Sequence, residues 1–239
     1  MLSPLSILIF STLLVNFAQC GILAPCHIND QTCFEKSVNA ALPQLLSADP
    51  SLGIDSSDPL AVATISGDFP MIKFTLMNPV TTGFKNCDVK NLNINLDAET
   101  LHFDLNCPSL HTTGKYDISG RLILLPIEGN GDFDMTTGQY NTIVDAELKQ
   151  VKGADGKAYL SINSFKLKNQ ALGPIKFDFK NLFNGNKEQA SNLIKFANEN
   201  WKDVADLLQD PVWYSNMKKI IGNVDKYLKT EPIDEIFLP

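Results

Sequence analysis

The sequence predicts an α+β fold in which a strongly curved antiparallel sheet wraps around a long C-terminal helix. Apolar residues recur at steps of three and four between Lys187 and Leu208, which indicates an amphipathic helix of about 33 Å. The segments before it alternate apolar and polar residues, as half-buried strands do. A sheet that covers so long a helix must curve, so we expect an elongated apolar interior. The apolar face of the helix comprises Ala190, Leu193, Ile194, Ala197, Trp201, Val204 and Leu208.

The N-terminal segment has the composition of a secretory signal. Leu5–Phe17 is almost wholly apolar and uncharged, and small residues occupy the two positions that signal peptidase recognises. We prefer a cleaved signal, residues 1–20, to a membrane anchor because the apolar run is shorter than the ~20 residues of a span. We expect residues 21–239 to form a single domain of a secreted, extracellular protein without stable membrane insertion.

The net charge and the cysteine count indicate which partners and which compartment the protein has. A formal net charge of −7 with few basic clusters argues against nucleic acid as a partner. Cleavage of the signal would leave four cysteines, and an even number in a secreted chain favours disulfides. We expect Cys26 to pair with Cys33, and Cys87 to pair with Cys107 because these two flank a predicted hairpin.

The first elements are a helix and a loop. Thr32–Leu46 has apolar residues on one helical face, and Pro43 is expected to bend or restart that helix. Asp49–Leu60 is rich in Pro, Ser and Asp and is predicted to be a loop.

Strands are predicted wherever apolar and polar residues alternate, and their polar faces agree well enough to predict one sheet. Leu122–Leu125 is apolar throughout, which predicts a strand covered on both faces. Asp97–Glu99 and Asp155–Gly156 mark hairpin turns, and a change of parity predicts a bulge near Ser164. The alternating apolar positions are Ile72, Phe74 and Leu76; Leu92, Ile94 and Leu96; Leu101, Phe103 and Leu105; Tyr140, Thr142, Val144, Ala146 and Leu148; Leu160 and Ile162; and Ile175, Phe177 and Phe179.

A second C-terminal helix is predicted to start at Asp210-Pro211, because Asp is a good N-cap and Pro suits the first helical position. The tail Glu231–Pro239 carries apolar residues and is expected to pack back on the body of the domain. The apolar face of this second helix comprises Trp213, Met217, Ile220, Ile221, Val224, Tyr227 and Leu228.

The sequence has no pattern typical of catalysis or metal binding. It has neither a nucleophile elbow nor a helix with paired histidines. Gly129–Gly131 leads into Asp132 and Asp134 rather than into a helix, so we interpret it as a bend between strands. His102 falls on a polar strand face, and His111 follows a strand end. We therefore expect no enzyme activity, no catalytic residue, no metal site and no cofactor.

Motifs along almost the whole mature chain carry a family resemblance. Near the C-terminus they are Phe183–Asn186 and Asn198–Trp201, and near the N-terminus they are the Cys26/Cys33 pair and Asp58–Leu60. The central motifs are Pro108–Leu110, Gly114–Tyr116, Gly120, Leu125–Ile127 and Gly129–Gly131. Their order and spacing resemble the insect takeout family, which groups with the juvenile-hormone-binding proteins.

The resemblance implies a tubular lipid-binding domain with an apolar tunnel, in a secreted and non-enzymatic carrier of terpenoid hormones or fatty-acyl compounds. Cys87 and Cys107 depart from the family pattern, in which the N-terminal pair is the shared one. This difference and the C-terminal motif favour the takeout branch over the hormone carriers.

Two functional hypotheses result. The first is a monomeric carrier whose partner is a small hydrophobic ligand held in the interior, and the alternative is a secreted interaction protein with a filled core. Strand parity and helix face select the inward candidates for ligand binding, among which Trp201 is either a core anchor or part of the tunnel wall. These candidates are Phe74, Phe103, Leu105, Leu124, Tyr140, Val144, Phe177, Trp201, Trp213, Met217 and Ile221.

Overall fold

The computed structural model of the protein describes residues 21–239. The predicted signal, residues 1–20, lies outside the described residues. The described chain forms these strands: β1 (Cys26–His27), β2 (Leu60–Ala61), β3 (Thr64–Asp68), β4 (Ile72–Thr82), β5 (Asp88–Asn95), β6 (Thr100–Cys107), β7 (His111–Leu122), β8 (Leu125–Thr137), β9 (Tyr140–Lys152), β10 (Ala158–Ala171), β11 (Ile175–Phe179) and β12 (Phe237–Leu238). Its α-helices are α1 (Gln31–Leu45), α2 (Lys187–Glu199), α3 (Trp201–Leu228) and α4 (Ile233–Ile236).

The predicted fold class is confirmed: antiparallel strands surround a long C-terminal helix, and the sheet does not close into a barrel. The strands pair in two main sheets where the sequence predicted one. A six-stranded sheet has the order β11-β8-β7-β4-β2, with β3 also on β4, and a four-stranded sheet has the order β10-β9-β6-β5. The short strands β1 and β12 pair in parallel and hold the C-terminal tail against the N-terminus.

Helix α3 is the shared core element of both sheets. It packs on β10 of the four-stranded sheet, on β3 and β11 of the six-stranded sheet, and on α1. Its buried residues continue from Val204 to Tyr227, so nearly the whole helix has one face in the interior. The curved sheets thus enclose this helix, as its amphipathic pattern predicted.

The boundary between the two C-terminal helices differs from the sequence prediction. The helix predicted to span Lys187–Leu208 is interrupted at Asn200, whose φ of −109° and ψ of 32° are not helical. The Asn200 side chain donates to the Phe196 carbonyl at 2.8 Å, and such side-chain bonding competes with helix propagation. No helix starts at Asp210-Pro211, because α3 continues through Pro211 with buried packing on both sides.

Two local predictions are wrong. Leu122–Leu125 is the tight turn between β7 and β8, with Ile123 at φ 57°, because an apolar run specifies burial and not backbone geometry. Gly129–Gly131 lies inside β8 and is no bend between strands. A Cβ at Gly131 would lie 2.5 Å from the Lys180 carbonyl oxygen, so the glycine permits a close backbone approach. Helix α1 continues through Pro43 to Leu45, so it does not restart there, and the alternative of a bend at Pro43 stays a prediction.

Several local predictions are confirmed. The turns around Asp97–Glu99 and Asp155–Gly156 connect β5 to β6 and β9 to β10. The register of β9 and β10 shifts between Ile162 and Ser164, at the predicted bulge. Both disulfides are formed, Cys26 with Cys33 and Cys87 with Cys107, at Cα–Cα distances of 5.8 and 4.2 Å.

One edge strand of each main sheet is covered in the same way, by an asparagine on a helix. The Asn198 side chain of α2 accepts from the Phe177 N–H at 2.7 Å and donates to the Phe177 carbonyl at 3.2 Å. The Asn39 side chain of α1 makes the same two bonds to Val89, both at 2.7 Å. Because Phe177 lies on β11 and Val89 on β5, each asparagine satisfies backbone groups that the sheet leaves unpaired.

Candidate apolar binding chambers

The interior contains two main apolar cavities, one on each side of the middle of α3. The first chamber is a cavity of about 100 Å³ between the six-stranded sheet and the N-terminal half of α3. Its walls consist of Phe74, Leu76, Tyr116, Ile118, Phe133, Met135, Thr137, Tyr140, Ile175, Phe177, Phe179, Val204, Ala205, Leu208, Gln209, Val212 and Trp213.

The first chamber contains a few polar groups, and the structure pairs them internally. The Tyr140 hydroxyl donates to Gln209 Oε1, and the Tyr116 hydroxyl donates to the Lys180 carbonyl at 2.7 Å. Thr137 Oγ1 accepts from the Leu110 N–H at 3.0 Å. Burial raises the pKa of both tyrosines to about 12, so both are neutral donors at physiological pH.

A smaller cavity of about 50 Å³ adjoins the first chamber on the side of α2. Both cavities share Ile118, Phe177, Phe179, Val204 and Leu208 as lining residues. Leu193, Ile194 and Ala197 of α2 complete its wall, so the apolar face predicted for this helix does cover the interior. The first chamber therefore extends away from the middle of α3 toward the hairpin of β7 and β8.

The second chamber is a cavity of about 140 Å³ between the four-stranded sheet, α1 and the C-terminal half of α3. All of its lining side chains are hydrophobic, so it offers no side-chain hydrogen bond to a ligand. They are Phe34, Val38, Leu42, Leu45, Leu46, Phe84, Val89, Leu92, Ile94, Leu101, Phe103, Leu105, Leu148, Leu160, Ile162, Met217, Ile220, Ile221, Val224, Leu228, Ile236 and Phe237.

Most of the inward candidates from the sequence lie on these walls. Phe74, Tyr140, Phe177 and Trp213 line the first chamber, and Phe103, Leu105, Met217 and Ile221 line the second. Their contact with a ligand stays a prediction.

Three candidates lie elsewhere. Leu124 is 75% exposed at the tip of the turn between β7 and β8, so its expected inward position is wrong. Val144 is fully buried in the core but lines neither chamber. Trp201 is partly buried, packs against the core and lines none of the cavities described above. The first turn of α3 therefore anchors the helix outside the chambers.

Sequence reasoning missed the parts of the walls that come from α1 and from polar residues. Val38 and Leu42 of α1 line the second chamber but were not among the inward candidates. Both lie on the apolar face of α1, so the periodicity that predicted this helix was the signal that could have found them. Gln209 lines the first chamber beside Tyr140, and no sequence pattern distinguishes it from a surface glutamine.

The polar residues considered for chemistry form cross-strand pairs outside the chambers. His102 Nδ1 lies 2.7 Å from Asp145, and His111 Nε2 lies 2.9 Å from Asp134. These four side chains are largely exposed. Within residues 21–239, no group of three or more His, Cys, Asp or Glu could hold a metal ion. None of the described helices is both long and apolar enough to cross a membrane.

An α+β fold with a long helix inside curved antiparallel strands and an apolar interior defines a carrier-type protein for hydrophobic ligands. The chain belongs to the family of insect takeout and haemolymph juvenile hormone binding proteins. The family model described as "Haemolymph juvenile hormone binding protein (JHBP)" matches residues 6–238, almost the whole sequence. The resemblance predicted from the sequence motifs is thereby confirmed.

Individual relatives agree with this assignment. The crystal structure of Epiphyas postvittana Takeout 1 superposes with a TM-score of 0.87 at 26% identity, over 91% of this chain and all of that one. The circadian clock-controlled protein daywake of Drosophila melanogaster is 27% identical over 229 residues, 90% of this chain and 86% of daywake. A putative beta-carotene-binding protein of Schistocerca gregaria is 24% identical over 56% of this chain and 54% of its own length.

Proposed function

We propose that the protein is a secreted, monomeric carrier that holds a small hydrophobic ligand, a terpenoid or a fatty-acyl compound, in its apolar interior. The observation that carries the proposal is the pair of chambers, whose linings are almost entirely hydrophobic. The family and the putative carotene-binding relative support the same ligand class. Secretion is supported by the two disulfides, because such bonds persist in oxidising compartments.

The physical basis of binding is the transfer of hydrocarbon from water. Each buried methylene contributes ~0.8 kcal/mol, so burial of a ligand of terpenoid size supplies several kcal/mol before the costs of association. The polar groups of the first chamber, Tyr140 and Gln209, are positioned to orient a ligand that has one polar end. The second chamber accepts only hydrocarbon, since its lining side chains are all apolar.

The direct test is organic extraction of the protein purified from a eukaryotic secretion host, followed by mass spectrometry of the extract. We expect a co-purified terpenoid or fatty-acyl compound, and displacement of an apolar fluorescent probe by farnesol or lauric acid. An empty extract together with no binding of the probe would contradict the carrier function.

Two substitutions separate ligand binding from general stability. Phe177→Ala removes a ring from the wall of the first chamber, and we expect it to change the relative affinities for farnesol and lauric acid. Leu124→Ala removes an equally apolar side chain from an exposed turn and serves as the control. Identical affinity ratios in both variants would place ligand binding outside the first chamber.

A further inference from the structure

We propose that the end of the molecule formed by the β3–β4 and β7–β8 turns is a docking surface for phospholipid membranes. Exposed apolar side chains of the two turns enter the lipid interface reversibly, and Arg121 binds a lipid phosphate. We name this surface the apolar tip and define it as Phe69–Met71, Arg121 and Ile123–Pro126. The inference goes beyond the carrier function and does not depend on it, because it concerns the outer surface and not the interior.

The two turns form one continuous tip. Strand β4 pairs with β7, with Ile72 opposite Gly120, so the turns lie side by side. The Arg121 N–H donates to the Met71 carbonyl at 2.7 Å. A Cβ at Gly120 would lie 2.3 Å from the same carbonyl oxygen, so the glycine permits this close contact. The apolar tip is therefore one projecting surface rather than two separate loops.

The hydrophobic side chains of the apolar tip are exposed to solvent as a group. Leu124 is 75% exposed, Met71 52% and Leu125 37%. Pro70 and Pro126 are exposed beside them. Hydrophobic residues that are scattered singly over a surface need no explanation, but a group of them at one place marks an interaction site. These five residues therefore indicate contact with an apolar partner.

The requirements of a hairpin turn do not account for these residues. Leu122 pairs with Leu125, which leaves Ile123 and Leu124 as a two-residue loop. Such loops favour Asn and Gly, because their central residues adopt positive φ. Ile123 has a φ of 57°, where a β-branched residue is an outlier. A turn that holds isoleucine in this conformation and exposes leucine breaks the local rules, as functional sites do.

A lipid interface fits the apolar tip better than a protein partner does. A stable protein interface uses ~20–30 residues on each side, whereas the apolar tip has five exposed hydrophobic residues. Two projecting turns can enter the interfacial region of a bilayer, where apolar side chains leave water and polar groups stay among the headgroups. The small area and the projecting form of the tip therefore favour a membrane.

Arg121 gives the apolar tip a group that recognises lipid phosphate. It is the only arginine in the sequence, and it is exposed. Nearby Lys73 is paired with Asp68 at 3.1 Å, whereas the Arg121 guanidinium forms no ion pair within residues 21–239. A guanidinium binds phosphate through two parallel hydrogen bonds, and every phospholipid headgroup has a phosphate. The net charge of −7 opposes a broader attraction to anionic lipid, so docking depends on insertion and on this contact.

The apolar tip also lies next to the interior. Leu122 and Ile127 flank the tip on β7 and β8, and both line the small cavity that adjoins the first chamber. A docked tip thus brings this end of the interior to the lipid surface, which is where hydrophobic compounds accumulate.

The first experiment measures co-flotation of the purified protein with phosphatidylcholine vesicles. We expect binding, and we expect Leu124→Ala to weaken it about tenfold, because losing the burial of two methylenes has that effect. Met71→Ala should weaken it as well. Leu172→Ala is the matched control, since Leu172 is 54% exposed and lies beside Gln139, beyond the opposite end of β8. It should bind vesicles as the unaltered protein does.

The contribution of Arg121 is tested separately. Arg121→Gln should weaken binding to phosphatidylcholine vesicles severalfold, and Arg121→Lys should weaken it less, because an ammonium keeps the charge but loses the paired hydrogen bonds. Vesicles that contain phosphatidylserine should bind no more tightly, since the protein is acidic. Tighter binding to phosphatidylserine that persists in Arg121→Gln would place the membrane contact elsewhere and overturn the proposal.

A fluorescent label locates the contact directly. The four cysteines of residues 21–239 are in disulfides, so Leu124→Cys adds a unique thiol to this part of the chain. An environment-sensitive nitrobenzoxadiazole label on that thiol should become brighter and blue-shifted when phosphatidylcholine vesicles are added. The same label on Leu172→Cys should not respond, and an equal response at both positions would contradict docking through the tip.

Three further results would overturn the proposal. They are no co-flotation of the unaltered protein, equal losses in Leu124→Ala and Leu172→Ala, and a dimer that Leu124→Ala abolishes in the absence of vesicle binding. The last result would assign the tip to a second copy of the chain. Because Leu124 and Met71 are exposed, neither alanine variant should change the thermal unfolding midpoint.

The carrier function is judged by a different measurement. Leu124→Ala should bind farnesol and lauric acid in solution as tightly as the unaltered protein does, while its vesicle binding falls. An unaltered protein that docks on vesicles but binds no apolar ligand would contradict the carrier function and leave the docking surface intact.

Discussion

The two chambers have similar edge strands, but they differ in the polarity of their linings and in the disulfides around them. A helix asparagine covers an edge strand on each side, Asn198 beside the first chamber and Asn39 beside the second. The first chamber contains the paired hydroxyls of Tyr116 and Tyr140, whereas the second is lined by hydrophobic side chains alone. Both disulfides lie on the second-chamber side: Cys26 is in β1, Cys33 in α1 and Cys107 in β6, and Cys87 directly precedes β5. The first chamber therefore has a lining with buried hydroxyl groups, and the second chamber has a purely hydrophobic lining with cross-links around it.

Alkaline pH should separate the two sides most strongly. Burial, followed by a nearby carboxylate, raises the pKa of Tyr116 and Tyr140 to about 12. The folded state holds these protons more tightly than the unfolded state, so stability is complete below about pH 10 and is lost as pH rises to about 12. Urea denaturation across this range should show that Tyr116→Phe/Tyr140→Phe loses less stability than the unaltered protein.

The second-chamber side has one comparable tyrosine, which supplies the control. Burial and then the Glu231 carboxylate raise the pKa of Tyr227 to about 12, and its hydroxyl oxygen accepts from the Ile22 N–H at 2.7 Å. We expect Tyr227→Phe to remove only about half of the effect of the double variant. Equal effects would show that the alkaline sensitivity is not concentrated at the first chamber.

Removal of the longer disulfide should loosen the second-chamber side selectively. Cys87 and Cys107 are 20 residues apart, and the loop-entropy relation gives about 3 kcal/mol for Cys87→Ala/Cys107→Ala. The corresponding change at Cys26 and Cys33, which are 7 residues apart, should cost roughly 2 kcal/mol. Hydrogen exchange should increase in β5 and β6 and stay unchanged in β8 and β11. Uniform loosening of both sheets would contradict this division.

The two asparagines that cover edge strands should contribute equally to the free energy of unfolding. Asn198→Ala and Asn39→Ala each leave two backbone groups of an edge strand without their partners, at a cost of about 2 kcal/mol. Faster exchange should appear at the Phe177 N–H in the first variant and at the Val89 N–H in the second. A much smaller cost on one side would mean that water replaces that asparagine.

The smallest effect should come from Tyr140→Phe. This change removes the hydroxyl bonded to Gln209 and keeps the ring on Trp213, so the free energy of unfolding should fall by about 1 kcal/mol. Tyr214→Phe, at an exposed position, is the matched control and should have no measurable effect. A loss of several kcal/mol at Tyr140 would show that the ring position also depends on the hydroxyl.

Periodicity predicted much of the fold and of the chamber walls. Strand parity placed Phe74, Phe103 and Phe177 on inward faces, because one covered face imposes a strict period of two. It failed at Leu124, since an apolar run does not reveal the turn geometry that exposes this side chain.

Two features could not be obtained from periodicity. The helix break at Asn200 lies between Ala197 and Trp201, where the apolar spacing continues without interruption. The wall of the second chamber includes Phe84, which lies in a short turn outside any regular element. A wall made by residues distant in the sequence becomes visible only when the topology brings them together.

The shared helix α3 can couple ligand binding in one chamber to ligand binding in the other. It contributes Val212 and Trp213 to the wall of one chamber and Met217 to the wall of the other, within a turn and a half. If each chamber holds a ligand, any change that one ligand imposes on this helix changes the binding free energy of the other ligand. Thermodynamic linkage makes this change equal in both directions, whichever ligand binds first. Helix α3 is therefore a common wall through which each chamber can influence the affinity of the other.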